Sequence, residues 1–364
     1  MTSASFRADA KHQPQARTRF AFLDVLRAVA VCLVVYSHVT GIWLHQHDDN
    51  SPVTAAVRRV SPLTWTLNVG NFGVVLFFLV SGFIVTHTGF TENPRQYAVK
   101  RLLRVYPMLT AAVLLSAGLF VAGLHPLTTG DPSTVTPVTV LTNLSLVNYL
   151  LEPRVVLIDV GWTLVIEIMF YVLLMVALPL LRRTVWPVIA GELGVVAAVL
   201  ASAPLGPSWL RFAVNVGYLP ALLLGQVCWA VWSRRIRPWV GVVLGGLAWF
   251  EYLWAEAPGL GRQATVYLYN VNLALGLAVF VAFLTVQRRM RPVRWIGWLA
   301  DRSYSLYLLH GLLAVVVMNA LSPTTGYPGA VVAGLVVTML GVEIGHRLVE
   351  RPSMRLARRI ARRC

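Results

Sequence analysis

Charged residues are scarce in this chain. They make up 13% of 364 residues while 57% are hydrophobic, and so little polar material cannot clothe a soluble globule of this size. Acidic residues are scarcer still, 15 Asp and Glu against 31 Lys and Arg, for a formal charge of +16. That excess does not point to nucleic acid, because the basic residues sit in short clusters between apolar runs rather than along one polar domain. The three cysteines, Cys32, Cys228 and Cys364, include no pair at metal or redox spacing, which excludes a disulfide scaffold. Also missing are a G-x-S-x-G elbow, a Walker loop and an H-E-x-x-H motif. The loop "HQHDDN", His45 to Asn50, has metal-ligating residue types but reads as a solvated loop, so no metal site is expected.

What the chain has in abundance is long hydrophobic runs. Segments able to cross ~30 Å of hydrocarbon lie near 22–44, 69–89, 105–124, 160–181, 185–204, 212–233, 238–256, 265–286, 298–320 and 328–349. The expected fold class is therefore all-α, a polytopic membrane protein with about ten transmembrane helices. Residues 1–19 read as a flexible basic cytoplasmic tail, 20–352 as the transmembrane domain and 353–364 as a second basic cytoplasmic tail. The first run is longer than a signal-peptide core and no small-residue cleavage site follows it, so it is expected to stay as an anchor. With the N-terminus inside, 24 of the 31 basic residues fall in cytoplasmic segments and only Arg58, Arg59, Arg154, Arg211 and Arg262 fall outside. The segment 135–156, "VTPVTVLTNLSLVNYLLEPRVV", is rich in Thr and Asn. Counting it as an eleventh span would put every later basic cluster outside, so it is expected to be an interfacial or re-entrant piece of an external loop.

Several residues stand where hydrocarbon penalises them. In "DVLRAVAVCLVVYSH", Arg27 and His38 are eleven residues apart. At 100° per residue they share one helix face, about 16 Å apart. Arg27 can snorkel to the interface and His38 can be a hydrogen-bonded core residue, or His38 can serve as a general base. Arg101 and Arg104 lie three apart at the start of the third span, which suits either ordinary positive-inside bias or a grip on phosphates. Ser81-Gly82 inside the second span fits close helix packing as well as a site. Glu167, two turns inside the fourth span, needs a partner or a wet cavity. Tyr304, Tyr307 and His310 form a polar-tipped stripe in the ninth span, suited to inter-helix hydrogen bonding or to a substrate path.

Together these residues resemble the acyltransferase-3 family of integral membrane O-acyltransferases, over most of the chain from Phe22 to Pro352. The family's R-x10-H matches Arg27 and His38, its R-x-x-R matches Arg101 and Arg104, and F-F-x-x-S-G-F matches Phe77 to Phe83. W-S-L-x-x-E-x-x-F-Y matches Trp162 to Tyr171, S-Y-x-x-Y-L-x-H matches Ser303 to His310, and E-R-P matches Glu350 to Pro352. Two positions depart: Thr163 replaces a Ser but keeps a hydroxyl, and Ala300 replaces a Gly. The resemblance implies acyl-CoA as donor substrate, acetyl-CoA first among the candidates, with no bound cofactor. The acceptor would be a hydroxyl on a cell-surface glycan, a glycolipid or a secreted metabolite such as a macrolide, at a bacterial plasma membrane. In that scheme His38 is catalytic with Glu167, while Arg27, Arg101 and Arg104 bind the donor. Ser81, Tyr304, Tyr307 and His310 would line the acceptor path. The rival class is a proton-coupled membrane transporter, since buried His, Glu and Arg also make proton relays, but no inverted repeat supports it.

Overall fold

The computed structural model describes residues 20–42, 68–128, 135–151, 155–257, 260 and 269–363, with isolated positions between 52 and 59. The expected tail 1–19 and the His45–Asn50 loop lie outside the described residues. Among the described residues the chain is helical and without strands. In chain order the helices are α1 (Ala21–Tyr36), α2 (Val69–Gly89), α3 (Pro94–Val121), α4 (Pro137–Leu144), α5 (Trp162–Leu181) and α6 (Trp186–Ala201). They continue as α7 (Pro207–Val216), α8 (Leu219–Trp232), α9 (Pro238–Trp254), α10 (Tyr269–Val286), α11 (Arg294–Gly345) and α12 (Arg351–Ala361).

Local chemistry sets many of these boundaries. Pro94, Pro137, Pro207 and Pro238 each open a helix, where a missing N–H costs nothing. Asn93 and Gln96 cap α3 reciprocally: the Gln96 N–H donates to the Asn93 side chain at 2.8 Å and the Asn93 N–H to that of Gln96 at 3.3 Å.

Among the described residues seven helices are long and apolar enough to cross a membrane, against the ten expected. The physical reason lies in three places. With 16 and 17 residues, α6 and α9 reach only about 24–26 Å at 1.5 Å per residue. The sixth hydrophobic run divides into α7 and α8, but the two together still qualify as one span and leave the count unchanged. The last two runs merge into a single helical stretch, but Gly326 breaks it in the left-handed region at φ 66°. Beyond that break the chain folds back, so that a Cβ on Gly334 would lie 2.9 Å from the Ala314 carbonyl oxygen. The 135–156 segment holds the eight-residue α4 and a 3₁₀ turn, too short to cross. Its buried Asn143 accepts from the Leu157 N–H at 2.9 Å and donates to the Val155 carbonyl at 3.1 Å, which ties the loop down.

The outer faces expose Val121, Val176, Val242 and Leu348, apolar side chains that suit lipid and not water. Inside, α2 and α8 cross at two glycines. A Cβ on Gly82 would meet the Leu222 carbonyl oxygen at 1.9 Å, and one on Gly225 the Leu79 carbonyl oxygen at 2.2 Å. Only hydrogen fits at either position, the small-residue contact by which membrane helices approach closely. α1 packs against both α2 and α11, which brings the residues singled out in the sequence to one interior. The C-terminal stretch expected as a tail contains α12, which packs on α3 and buries Ala357 and Ala361.

Candidate active site

After Tyr36 the ladder of α1 widens into a π turn, Ser37–Ile42, in which the Thr40 hydroxyl donates to the Tyr36 carbonyl. The 100° step therefore holds only as far as Tyr36, yet Arg27 and His38 both reach α11. A guanidinium N–H of Arg27 donates to the Ser303 hydroxyl at 3.0 Å. His38 Nδ1 lies 2.6 Å from His310 Nε2, with the rings inclined by 17°. His310 is fully buried, and its Nδ1 is 3.0 Å from the Leu306 carbonyl oxygen. A carbonyl can only accept, so the Nδ1 of a neutral His310 carries its hydrogen and the Nε2 is an acceptor. It takes the Nδ1–H of His38, which leaves His38 Nε2 with its lone pair. One imidazole is thus held in the tautomer of a base by a second imidazole, which is itself fixed by the backbone.

Below this pair on α11, the Thr163 hydroxyl lies 2.9 Å from both the Tyr307 hydroxyl and the Val160 carbonyl oxygen, and Tyr307 lies 3.3 Å from that oxygen, so one hydroxyl donates to the other, which donates in turn to the carbonyl. The hydroxyl that Thr163 retains is thus in use. Glu167, one turn further along α5, accepts from Ser81 at 3.0 Å and from the Tyr171 hydroxyl. Among the described residues its hydrogen bonds go to these two hydroxyls and to no histidine. Gly82 and Ser81 therefore divide the labour between them: the glycine packs α2 on α8, and the serine reaches Glu167.

The arginines are more heavily engaged than their spacing suggests. Arg104 donates to Glu350 at 2.6 Å and lies over the Tyr304 ring, 5.1 Å from its centroid. Glu350 is buried and also accepts from Ser305 at 2.6 Å, with His346 Nδ1 at 3.0 Å. The Tyr304 hydroxyl donates to the Val105 carbonyl at 2.8 Å, which locks α3 to α11. Arg101 donates to Thr88 at 2.5 Å and sits over Tyr97 and Tyr171, 5.2 and 5.6 Å from their centroids. Through Tyr171, Arg101 is one residue removed from Glu167. Sequence reasoning singled out Glu350 and Tyr171 only as members of motifs and did not find Ser305 or Thr88. Their pairing joins residues up to 246 positions apart, and no local spacing reports that. Among the described residues no group of three His, Cys, Asp or Glu could hold a metal ion.

The chain matches the acyltransferase-3 family, described as an acyltransferase domain, over residues 20–344, and it belongs to that family. It is an O-acyltransferase of the membrane. Nodulation protein 10 of Rhizobium leguminosarum bv. viciae is 28% identical to it, over 92% of this chain and 93% of the relative. Exopolysaccharide production protein ExoZ of Rhizobium meliloti (strain 1021) is likewise 28% identical, over 80% of this chain and 91% of the relative. No solved structure matches.

Proposed function

We propose that this protein transfers an acyl group, acetyl in the first instance, from acyl-CoA to a hydroxyl of a surface glycan, a glycolipid or a secreted glycosylated metabolite. The observation that carries the reading is the His38–His310 contact, which leaves one imidazole nitrogen with a lone pair next to a buried orienting partner. In the proposed reaction His38 Nε2 takes the proton of the acceptor hydroxyl as its oxygen attacks the thioester carbonyl carbon. The C–S bond then breaks, and the CoA sulfur leaves with that proton, giving an ester and free CoA. Arg27, with Ser303, stands between the Arg-rich end and the histidines, where it can steady the donor. A glycan acceptor is favoured because one relative's name places it in exopolysaccharide production.

The protein would sit in a bacterial plasma membrane with ten crossings and both termini cytoplasmic, the arrangement that keeps 24 of 31 basic residues inside. α6 and α9, the two short helices, would cross where the bilayer thins or the protein shields them. Reporter fusions that place either terminus outside would overturn this count. The reaction is tested by mass spectrometry of glycans and metabolites from cells with and without the protein, alongside acceptor-dependent CoA release by purified protein. The expected result is one ester-bearing product present only with the protein, and identical profiles would sink the proposal.

A further inference from the structure

The Arg-rich end carries a cleft that the His38–His310 site does not use. It encloses about 400 Å³ and is lined by Gln96 and Lys100 of α3 and by Arg358, Ala361 and Arg362 of α12. Each helix contributes an i,i+4 pair, so two short columns of polar groups face each other across the gap. α12 can lie this close because it meets α3 through Ala357 and Ala361, both buried, and its arginines flank that contact. Lys100 is half-buried and holds Glu92 at 2.6 Å, which occupies one of its three N–H donors. The Arg358 Nε–H donates to the Met354 carbonyl at 3.1 Å, which leaves the terminal nitrogens of the fork unused. The Arg362 guanidinium has no hydrogen-bond or ion-pair partner among the described residues. Three cations against one carboxylate, two of them with unused forked donors, make a site for a multiply charged phosphate group. A volume of this size accommodates a nucleotide and exceeds what a lone phosphate needs.

Its position narrows the choice. Lys100 lies one turn, roughly 6 Å, beyond Arg104 on α3, and His38 lies roughly 16 Å along α1 from Arg27. Cleft, Arg104, Arg27 and histidines therefore succeed one another along the bundle, a path that an extended pantetheine arm can follow. We infer that this cleft seats the adenosine bisphosphate end of the donor, with Lys100, Arg358 and Arg362 as its phosphate ligands. Arg101 and Arg104, already engaged by Thr88, Tyr304 and Glu350, then shape the channel beyond it. This inference rests on acyl-CoA being the donor.

The test titrates CoA and adenosine 3′,5′-bisphosphate into detergent-purified wild type, the double variant Arg358→Gln/Arg362→Gln, and the control Arg355→Gln/Arg359→Gln, which removes two α12 charges outside the cleft. Each lost charge-assisted contact should weaken binding about tenfold or more. The cleft variant is expected to lose both ligands by at least that factor while its gel-filtration profile stays that of wild type, and the control should keep them. CoA affinity unchanged in the cleft variant overturns the inference and leaves the donor reading intact. Wild type that binds no CoA overturns the donor reading itself. A parallel measurement by native mass spectrometry follows retained phosphatidylglycerol. Loss of that lipid from the cleft variant with CoA affinity unchanged would assign the cleft to a lipid headgroup and also overturn the inference.

Discussion

At the Arg-rich end of the bundle charged groups are tied in pairs, Arg104 to Glu350, Lys100 to Glu92 and Arg302 to Glu343, whereas at the other end of the polar interior two imidazoles meet and a single backbone carbonyl completes them. The difference separates holding from reacting. A buried ion pair fixes the distance between two helices, and breaking it strands a charge where solvation is poor. The histidine pair is built from rings that can each donate and accept a proton, and its chain of donors ends with one nitrogen unused. In the proposed reaction the arginine end positions α3, α11 and α12, and the histidine end would carry the proton.

The largest expected effect follows from the histidine side. His38→Ala should lower acyl transfer by at least the ~10²–10⁴-fold typical of a lost general base, in protein that still elutes as wild type. His38→Gln should not restore it, because an amide cannot take the proton. His310→Ala should cost less than His38→Ala, and His310→Gln should recover part of that loss, since its side-chain oxygen can accept the His38 Nδ1–H. Turnover of the purified variants decides this, and a His38→Ala enzyme near wild-type rate would move the base elsewhere.

On the arginine side the expected loss is in folding. Glu350→Ala leaves Arg104, half-buried beside Tyr304, without its carboxylate, and the lost charge-assisted hydrogen bond is worth about 1.5–3 kcal/mol. The unfolding temperature in detergent should fall, and the double variant Arg104→Met/Glu350→Met should recover much of the difference. Should Glu350→Ala keep its unfolding temperature and instead raise the KM for acyl-CoA, Arg104 is a donor ligand and the two ends do not differ in kind.

Much of this was legible in the sequence, and the boundary of what was not has a physical cause. Helices and their apolar surfaces follow from hydrophobic runs, because a chain in lipid must satisfy its own backbone. Arg27, His38, Glu167 and Ser81 stood out because ionisable or polar groups in such runs need a partner. The partners themselves were not legible. Ser303 and Glu350 come from other elements than Arg27 and Arg104, and their pairing depends on how α1, α3 and α11 pack, whereas Tyr171 lies one turn from Glu167 on α5 itself. The π turn at Ser37 was equally hidden, since nothing in "YSHVTGI" marks the widening that aims His38 at His310. Nor did apolar runs reveal that α6 and α9 fall short of a full crossing.

The crossing of α2 and α8 gives a smaller and independent test, because it lies away from both ends of the comparison. Gly82→Ala places a methyl 1.9 Å from the Leu222 carbonyl oxygen, so the helices must separate. Overpacking of this kind costs roughly 1–3 kcal/mol. Both ends should suffer together, as lower thermal stability with KM values for donor and acceptor unchanged in the fraction that folds. Selective loss of acceptor binding would instead make Gly82 part of the substrate path.

The smallest expected effect is also the one that best places Glu167. This carboxylate accepts from Ser81 and from Tyr171, so Ser81→Ala removes one of two donors and leaves the group still held. A single hydrogen bond of this sort contributes about 0.5–1.5 kcal/mol, up to roughly tenfold in an equilibrium or a rate. Tyr171→Phe should act alike, with an added loss because the Tyr171 ring also lies under Arg101. The double variant should lose more than the sum of the two, because only then is a half-buried carboxylate left without either hydroxyl donor. Stability and steady-state kinetics of the three variants separate the roles. If Glu167 lines the acceptor path, Ser81→Ala raises the acceptor KM and leaves that of acyl-CoA alone. If it only braces α2 against α5, unfolding temperature falls and neither KM moves, and Glu167 then belongs with the ion pairs of the arginine end.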